Sequence, residues 1–181
     1  HDLLVIKCDL ETSDLVDRGI WKSSEGDRKR LSDMVADYCY KYVLEILKVS
    51  RPVIARLAEM YPLVLVSNFY GNIETILADF DLQYFKHIVE SAVVGIRKPD
   101  PRIFQLGVDA LRKVTGKSDK ELPASNILVV GDSFSKDIVP ANEIGCKTVW
   151  IKGVGWGNEE TDDSIPTFII KNIAELENIL G

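Results

Sequence analysis

Histidine is scarce in this sequence: His1 and His87 are the two present. A histidine-centred nucleophilic triad or an imidazole-built zinc site has too little to work with. Cysteine is scarce too. Cys8, Cys39 and Cys146 are odd in number and widely spaced. They make no metal-ligand spacing, so free thiols in a reducing cytoplasm are expected. No apolar run approaches the ~18 residues that suggest a membrane span, and no signal-peptide pattern precedes the first apolar run. Neither a Gly-x-Gly-x-x-Gly nor a Walker loop occurs, which sets aside the common nucleotide-binding signatures. Internal repeats and low-complexity runs are absent. Basic charge is in deficit: 22 Lys and Arg face 28 Asp and Glu, for a net charge of -6. Neither nucleic acid nor an anionic membrane has an electrostatic case as a partner.

What is present is a chain of 181 residues, 46% of them hydrophobic. That suits one domain, or a domain with a small appendage. From about residue 50 onward, short apolar runs alternate with helical patterns. Strands are expected at Leu63–Val66, Phe85–Glu90, Ile127–Val130, Lys147–Ile151 and Thr167–Ile170. Helices are expected from Pro52, from Ile73, from Pro101 to about Val114, after Ser133, and from Ile173 to Leu180. Such alternation implies an α/β fold, a parallel sheet flanked by helices. Residues 1–49 do not alternate. Leu3–Ile6 fits a strand or one face of a helix. Arg28 to Val49 reads as a helix, with Leu31, Val35, Tyr38 and Tyr42 toward a core. Ser50 or Arg51 would then cap a new helix, with Pro52 in its first turn. The expected division is a helical module over 1–49 and an α/β core over 50–181. The run Gly153-Val154-Gly155-Trp156-Gly157 reads as a surface loop.

Three strand ends carry polar groups. After Ile127–Val130 come Gly131, Asp132, Ser133 and then Asp137. In open parallel sheets ligands sit beyond the carboxyl ends of the strands. Two carboxylates there could hold Mg2+, a hard cation that often takes only one or two protein carboxylates. They also fit a helix cap and a solvated first-turn acid. Ser67-Asn68 follows the Leu63–Val66 strand, where a hydroxyl and free amides suit a phosphoryl oxygen. It also fits a simple turn. Lys98, between Arg97 and Pro99, could neutralise a transferring phosphoryl group or be a plain surface lysine.

In order and context these pieces work together. Val-Ser-Asn, then Arg-Lys-Pro-Asp-Pro-x-Ile-Phe, then Val-Val-Gly-Asp-Ser-x-x-x-Asp-Ile resembles the haloacid dehalogenase-like hydrolases over residues ~50–181. The resemblance implies a Rossmann-like core with a helical cap, and a Mg2+-dependent phosphatase acting on a small phosphorylated metabolite. It casts Ser67 and the Asn68 amide as phosphoryl ligands, Lys98 as the charge-neutralising lysine, and Asp132 with Asp137 as the Mg2+ acids.

One element of that pattern has no good counterpart. The family's nucleophilic Asp ends the first strand, with a second Asp two residues on. Asp9 and Glu11 have the offset, but no glycine follows, and little chain is left for a cap before Ser67. The favoured expectation is that 1–49 is cap and that the first strand lies upstream of His1, which stands where a Met would open a complete chain. Two neighbouring strands would then lack a ladder partner unless a further segment fills the gap. The alternative is a catalytically silent binding or regulatory module. Dehalogenation, which works without Mg2+, fits the paired acids less well. Arg18, Trp21, Tyr38 and Tyr42 are substrate-contact candidates by location alone.

Overall fold

The computed structural model describes residues 1–153 and 160–180. Contacts divide the chain into two compact units, His1–Val49 and Ser50–Gly181. Among the described residues, no helix is long and apolar enough to cross a membrane.

The first unit is helical throughout its regular structure. Helix α1 spans Asp2–Asp17 and α2 spans Glu25–Met60, running on into the second unit. The strand alternative for Leu3–Ile6 is therefore corrected. No Gly or Pro interrupts residues 2–17, and Asp2 in the first turn complements the helix dipole. The two helices form an antiparallel hairpin held by polar ties. His1 Nε2 meets Asp37 Oδ1 at 2.6 Å, Thr12 Oγ1 meets Ser32 Oγ at 2.8 Å, and the Arg28 guanidinium meets Asp9 Oδ1 at 2.5 Å. Near its contacts with α1, α2 buries the small residues Ser32 and Ala36. Leu31, Val35, Tyr38 and Tyr42 are exposed instead of core-facing, Tyr38 at 72%. Periodicity marked the stripe, but it cannot tell which stripe of a helix meets its neighbour.

A second correction concerns Pro52. Instead of opening a new helix it lies inside α2. A proline interior to a helix removes one backbone hydrogen bond and favours a kink. Here helix-forming residues on both sides, Val43–Lys48 and Ala55–Met60, carry the helix through it.

The second unit holds the strands. They are β1 (Val64–Ser67), β2 (His87–Glu90), β3 (Leu128–Gly131), β4 (Lys147–Ile151) and β5 (Phe168–Ile170). Their helices are α3 (Ile73–Asp79), α4 (Ser91–Val94), α5 (Arg102–Thr115), α6 (Val139–Glu143) and α7 (Leu176–Leu180). Every pairing is parallel, but the strands form two sheets, β1-β2 and β3-β4-β5. The Rossmann-like expectation holds in the direction and order of the elements. Successive residues of β3 point to opposite faces. Val129 packs into a cluster with Ile103, Phe104 and Val108 of α5. Leu128 packs into another with Val53, Leu57, Val149 and Leu176. Helix α5 is amphipathic, burying Ile103, Phe104, Val108 and Ala110, and it ends at Gly116 in the left-handed region. It packs against both β1 and β2. Residues 154–157 of the glycine-rich run lie outside the described residues.

Candidate active site at the strand ends

Strands β1 and β3 both stop where their apolar runs stop, at Ser67 and Gly131. After β3 the chain makes a π-helical turn over Phe134–Ile138 before α6 begins. Ser133 caps it: its side chain accepts from the Lys136 N–H at 3.3 Å. The wider turn brings the Asp137 side chain back over the end of β3. A Cβ on Gly131 would lie 2.3 Å from the Cβ of Asp137, closer than atoms can approach. Glycine at 131 is thus what lets the carboxylate sit there.

Asp137 is 5% exposed. Its Oδ1 accepts from Lys98 Nζ at 2.6 Å, and its Oδ2 accepts from the Ser133 N–H at 3.1 Å. A buried carboxylate needs such partners, since an unpaired charge in the interior is costly. Lys98 is itself held from behind. Its backbone N–H donates to Asn68 Oδ1 at 2.8 Å, and its carbonyl accepts from Asn68 Nδ2 at 3.0 Å. The Lys98–Pro99 peptide is cis. Ring contact adds to this, with Lys98 Nζ 5.9 Å from the centre of the Phe104 ring.

Asp132 differs from Asp137. It is exposed, and among the described residues no hydrogen bond or ion pair engages its carboxylate. Its backbone is fixed instead: the Trp150 indole N–H donates to the Asp132 carbonyl at 3.1 Å. Trp150 is buried and packs on Phe134 at 5.2 Å between ring centres. Ser67 is half-buried at the tip of β1, next to Asn68.

The loop after β1 bridges to the Lys98 loop through Asn68, and Lys98 bridges to the β3 turn through Asp137. Residues far apart in sequence meet at the carboxyl ends of parallel strands, where open α/β sheets bind ligands. The arrangement offers a hydroxyl, an ammonium and one free carboxylate. Residues 18–145 match the sequence model of the haloacid dehalogenase-like hydrolases. The chain belongs to that family. Among relatives of this haloacid dehalogenase-like protein, a glyceraldehyde 3-phosphate phosphatase of Methanopyrus kandleri is 32% identical over 99 residues. A pyrimidine 5'-nucleotidase of Escherichia coli is 30% identical over 97 residues. Each match covers 54% of this chain and 39% of the relative, so the chain spans less than half the length of these relatives. In fold it is similar to a phosphatase of the family from Thermococcus onnurineus, with a TM-score of 0.63 and 22% identity over 98% of this chain and 90% of the other. It is also similar to the hydrolase YfnB of Bacillus subtilis bound to magnesium, with a TM-score of 0.61 and 20% identity over 96% and 70%.

Of the sequence candidates, Lys98, Asn68 and Asp137 are joined by direct contacts. Ser67 and Asp132 stand beside them in sequence at the same strand ends. Asp9 is not a strand-end acid. It lies within α1, paired to Arg28, because the segment that resembles a first strand folds as helix. Arg18, Trp21, Tyr38 and Tyr42 belong to the other unit; Arg18 pairs with Asp14 at 3.1 Å. In the sequence Glu90 and Ser91 read as a strand end and not as site candidates. A carboxylate directly after the apolar pair Ile88-Val89, at the end of β2, was the signal.

The donor set fits Mg2+ sparingly. Asp132 offers an uncommitted carboxylate. Asp137 already faces two donors, yet a carboxylate has about four lone-pair sites. Among the described residues no cluster of three or more His, Cys, Asp or Glu side chains could hold a metal. A cation bound here would keep several waters or substrate oxygens, which is how Mg2+ is commonly held.

Proposed function

We propose that the parent protein is a Mg2+-dependent phosphohydrolase of small phosphate esters, working through an aspartyl-phosphate. The observation that supports this is the Lys98–Asp137 contact, with Asn68 clamping Lys98 from the β1 loop. It puts a fixed positive charge beside the strand ends. The Ser67 hydroxyl and the Asn68 backbone N–H hold phosphoryl oxygens, and Lys98 offsets the charge that develops on them. Asp132 would ligate Mg2+ directly, and Asp137 would do so directly or through water. Bound there, the cation would screen the approach of one anion to another. The nucleophile is a carboxylate outside the present residues. Its attack on phosphorus expels the alcohol, and water then hydrolyses the acyl phosphate.

The same reading assigns a place to that nucleophile. Among the described residues β1 pairs only with β2, and β3 only with β4. A parallel strand from a preceding segment would fill the place between β1 and β3 and carry its Asp to the level of Ser67 and Asp132. The helical unit 1–49 would be the family's cap module. The test is turnover of a phosphate-ester panel by the full-length gene product, with and without Mg2+, against an Asp132→Asn variant. Loss of Mg2+-dependent turnover in the variant is the expected result. Equal activity in both sinks the metal role.

A second reading, a silent binding module, is favoured by one observation: the one Asp in a run resembling a first strand is helical and tied to Arg28. Phosphate-analogue binding by the full-length product without turnover would select it.

A further inference from the structure

The loop that follows Ser67 is tied down by more than Asn68. Glu90 ends β2 and is the ladder partner of Ser67 across the β1-β2 pair. It is 5% exposed, and among the described residues no ion pair holds it. Its Oε1 accepts from the Gly71 N–H at 2.6 Å. Gly71 has a φ of +91°, a backbone conformation open to glycine, and this turns its N–H back toward the sheet. Next to Glu90, Ser91 Oγ accepts from the Phe69 N–H at 3.1 Å and donates to the Phe69 carbonyl at 3.2 Å. With Asn68 fastened to Lys98, the residues Asn68, Phe69 and Gly71 are each hydrogen-bonded to a different anchor.

We infer that Glu90 and Ser91 are positioning residues for the phosphoryl-binding site: they set the loop that aims the Ser67 hydroxyl and the Asn68 backbone N–H. The inference rests on the phosphatase reading of Ser67 and Lys98. The physical reason is the cost of the arrangement. A carboxylate is expensive to bury, and here, among the described residues, it meets a single backbone N–H and no ion pair. Nothing about core packing requires that, because the other inward positions of β2 are apolar. A charged acceptor makes a hydrogen bond stronger than a neutral one would. It holds a glycine turn that would otherwise have many conformations. Misplacement of a binding group by about 1 Å can cost a hundredfold in rate, so a site using Ser67 needs this loop rigid.

The experiment uses the full chain and inorganic phosphate as probe, with Glu90→Ala, Glu90→Gln, Ser91→Ala and Ser67→Ala. The readouts are phosphate affinity by titration and hydrogen-exchange protection of the Gly71 amide. Glu90→Ala is expected to weaken phosphate binding about tenfold, as loss of a charged hydrogen-bond acceptor would, and to unprotect Gly71. Glu90→Gln keeps a neutral acceptor at the same place and should recover part of the affinity and of the Gly71 protection, the shortfall being the share owed to the carboxylate's charge. Ser91→Ala, a milder change, should weaken binding with the fold intact. Phosphate binding by wild type that Ser67→Ala weakens but Glu90→Ala and Ser91→Ala leave unchanged overturns the positioning role alone. Absence of phosphate binding in wild type overturns the reading of Ser67, and the positioning role with it.

Discussion

The Lys98–Asp137 pair gives the sharpest test, because its effect on stability can be measured without knowing the substrate. Lys98 and Asp137 side chains are 16% and 7% exposed, 2.6 Å apart. Lys98→Met removes the ammonium and leaves the Asp137 carboxylate with the Ser133 N–H alone. Breaking a buried pair by removing one partner costs about 3–5 kcal/mol. Lys98 is close enough to the surface for water to follow, so the lower end, about 3 kcal/mol, is expected. Asp137→Asn should cost less. One amide oxygen must serve two donors, but the stranded ammonium can swing toward solvent; about 1–2 kcal/mol is reasonable for one hydrogen bond lost to a charged group. The double variant should cost less than the sum, by about 1 kcal/mol or more, since residues in direct contact couple. Urea unfolding followed by tryptophan fluorescence measures all three. A Lys98→Met change within about 0.5 kcal/mol of wild type, the range of an ordinary surface substitution, would refute the buried pair. So would strict additivity.

Two further predictions concern the same unit. Gly131→Ala places a methyl 2.3 Å from the Asp137 Cβ; overpacking should destabilise by about 1–3 kcal/mol and push Asp137 off Lys98, read by urea unfolding and by a lost coupling in the cycle above. Burial of Cys146 pushes its thiol from 9.0 up to about 11. The unfolded thiol therefore loses its proton first as pH rises, and stability falls between about pH 9 and 11, by roughly 2–3 kcal/mol at 1.36 kcal/mol per unit. A Cys146→Ala variant should lack that part of the pH slope; an identical slope in both would refute the cause.

Much of the α/β unit was legible because its elements are short and punctuated. Gly116 stops α5 where the apolar period ends, and β4 matches the Lys147–Ile151 run residue for residue. The candidate residues Ser67, Lys98, Asp132 and Asp137 could be named from the sequence, and the structure sets them at strand ends or in the loops that meet there; their roles are proposals. Their wiring was not legible. That Asn68 spends its side chain on the Lys98 backbone depends on loops meeting across 30 residues. That Asp137 pairs with Lys98 rather than facing solvent depends on the wide turn at Phe134–Ile138. Helix α2 misled the reading twice, at Pro52 and at the exposed Tyr38 stripe. Local pattern fixes where apolar residues recur, but neighbours decide which face is covered and whether a proline is carried through.

The division of the strands into two sheets bears on how this chain behaves at high concentration. Parallel strands in α/β folds are normally covered on all sides, yet every residue of β1 is only half-buried, and Val130 of β3 is 38% exposed. Val-Leu-Val-Ser and Leu-Val-Val-Gly contain no charge and no proline, the usual guards of a free edge. Left unpartnered, such edges are templates for one another. The polypeptide by itself should self-associate through β1 and β3 and lose solubility as it is concentrated. Charged substitutions on those two strands, rather than on the acidic surface, would suppress it.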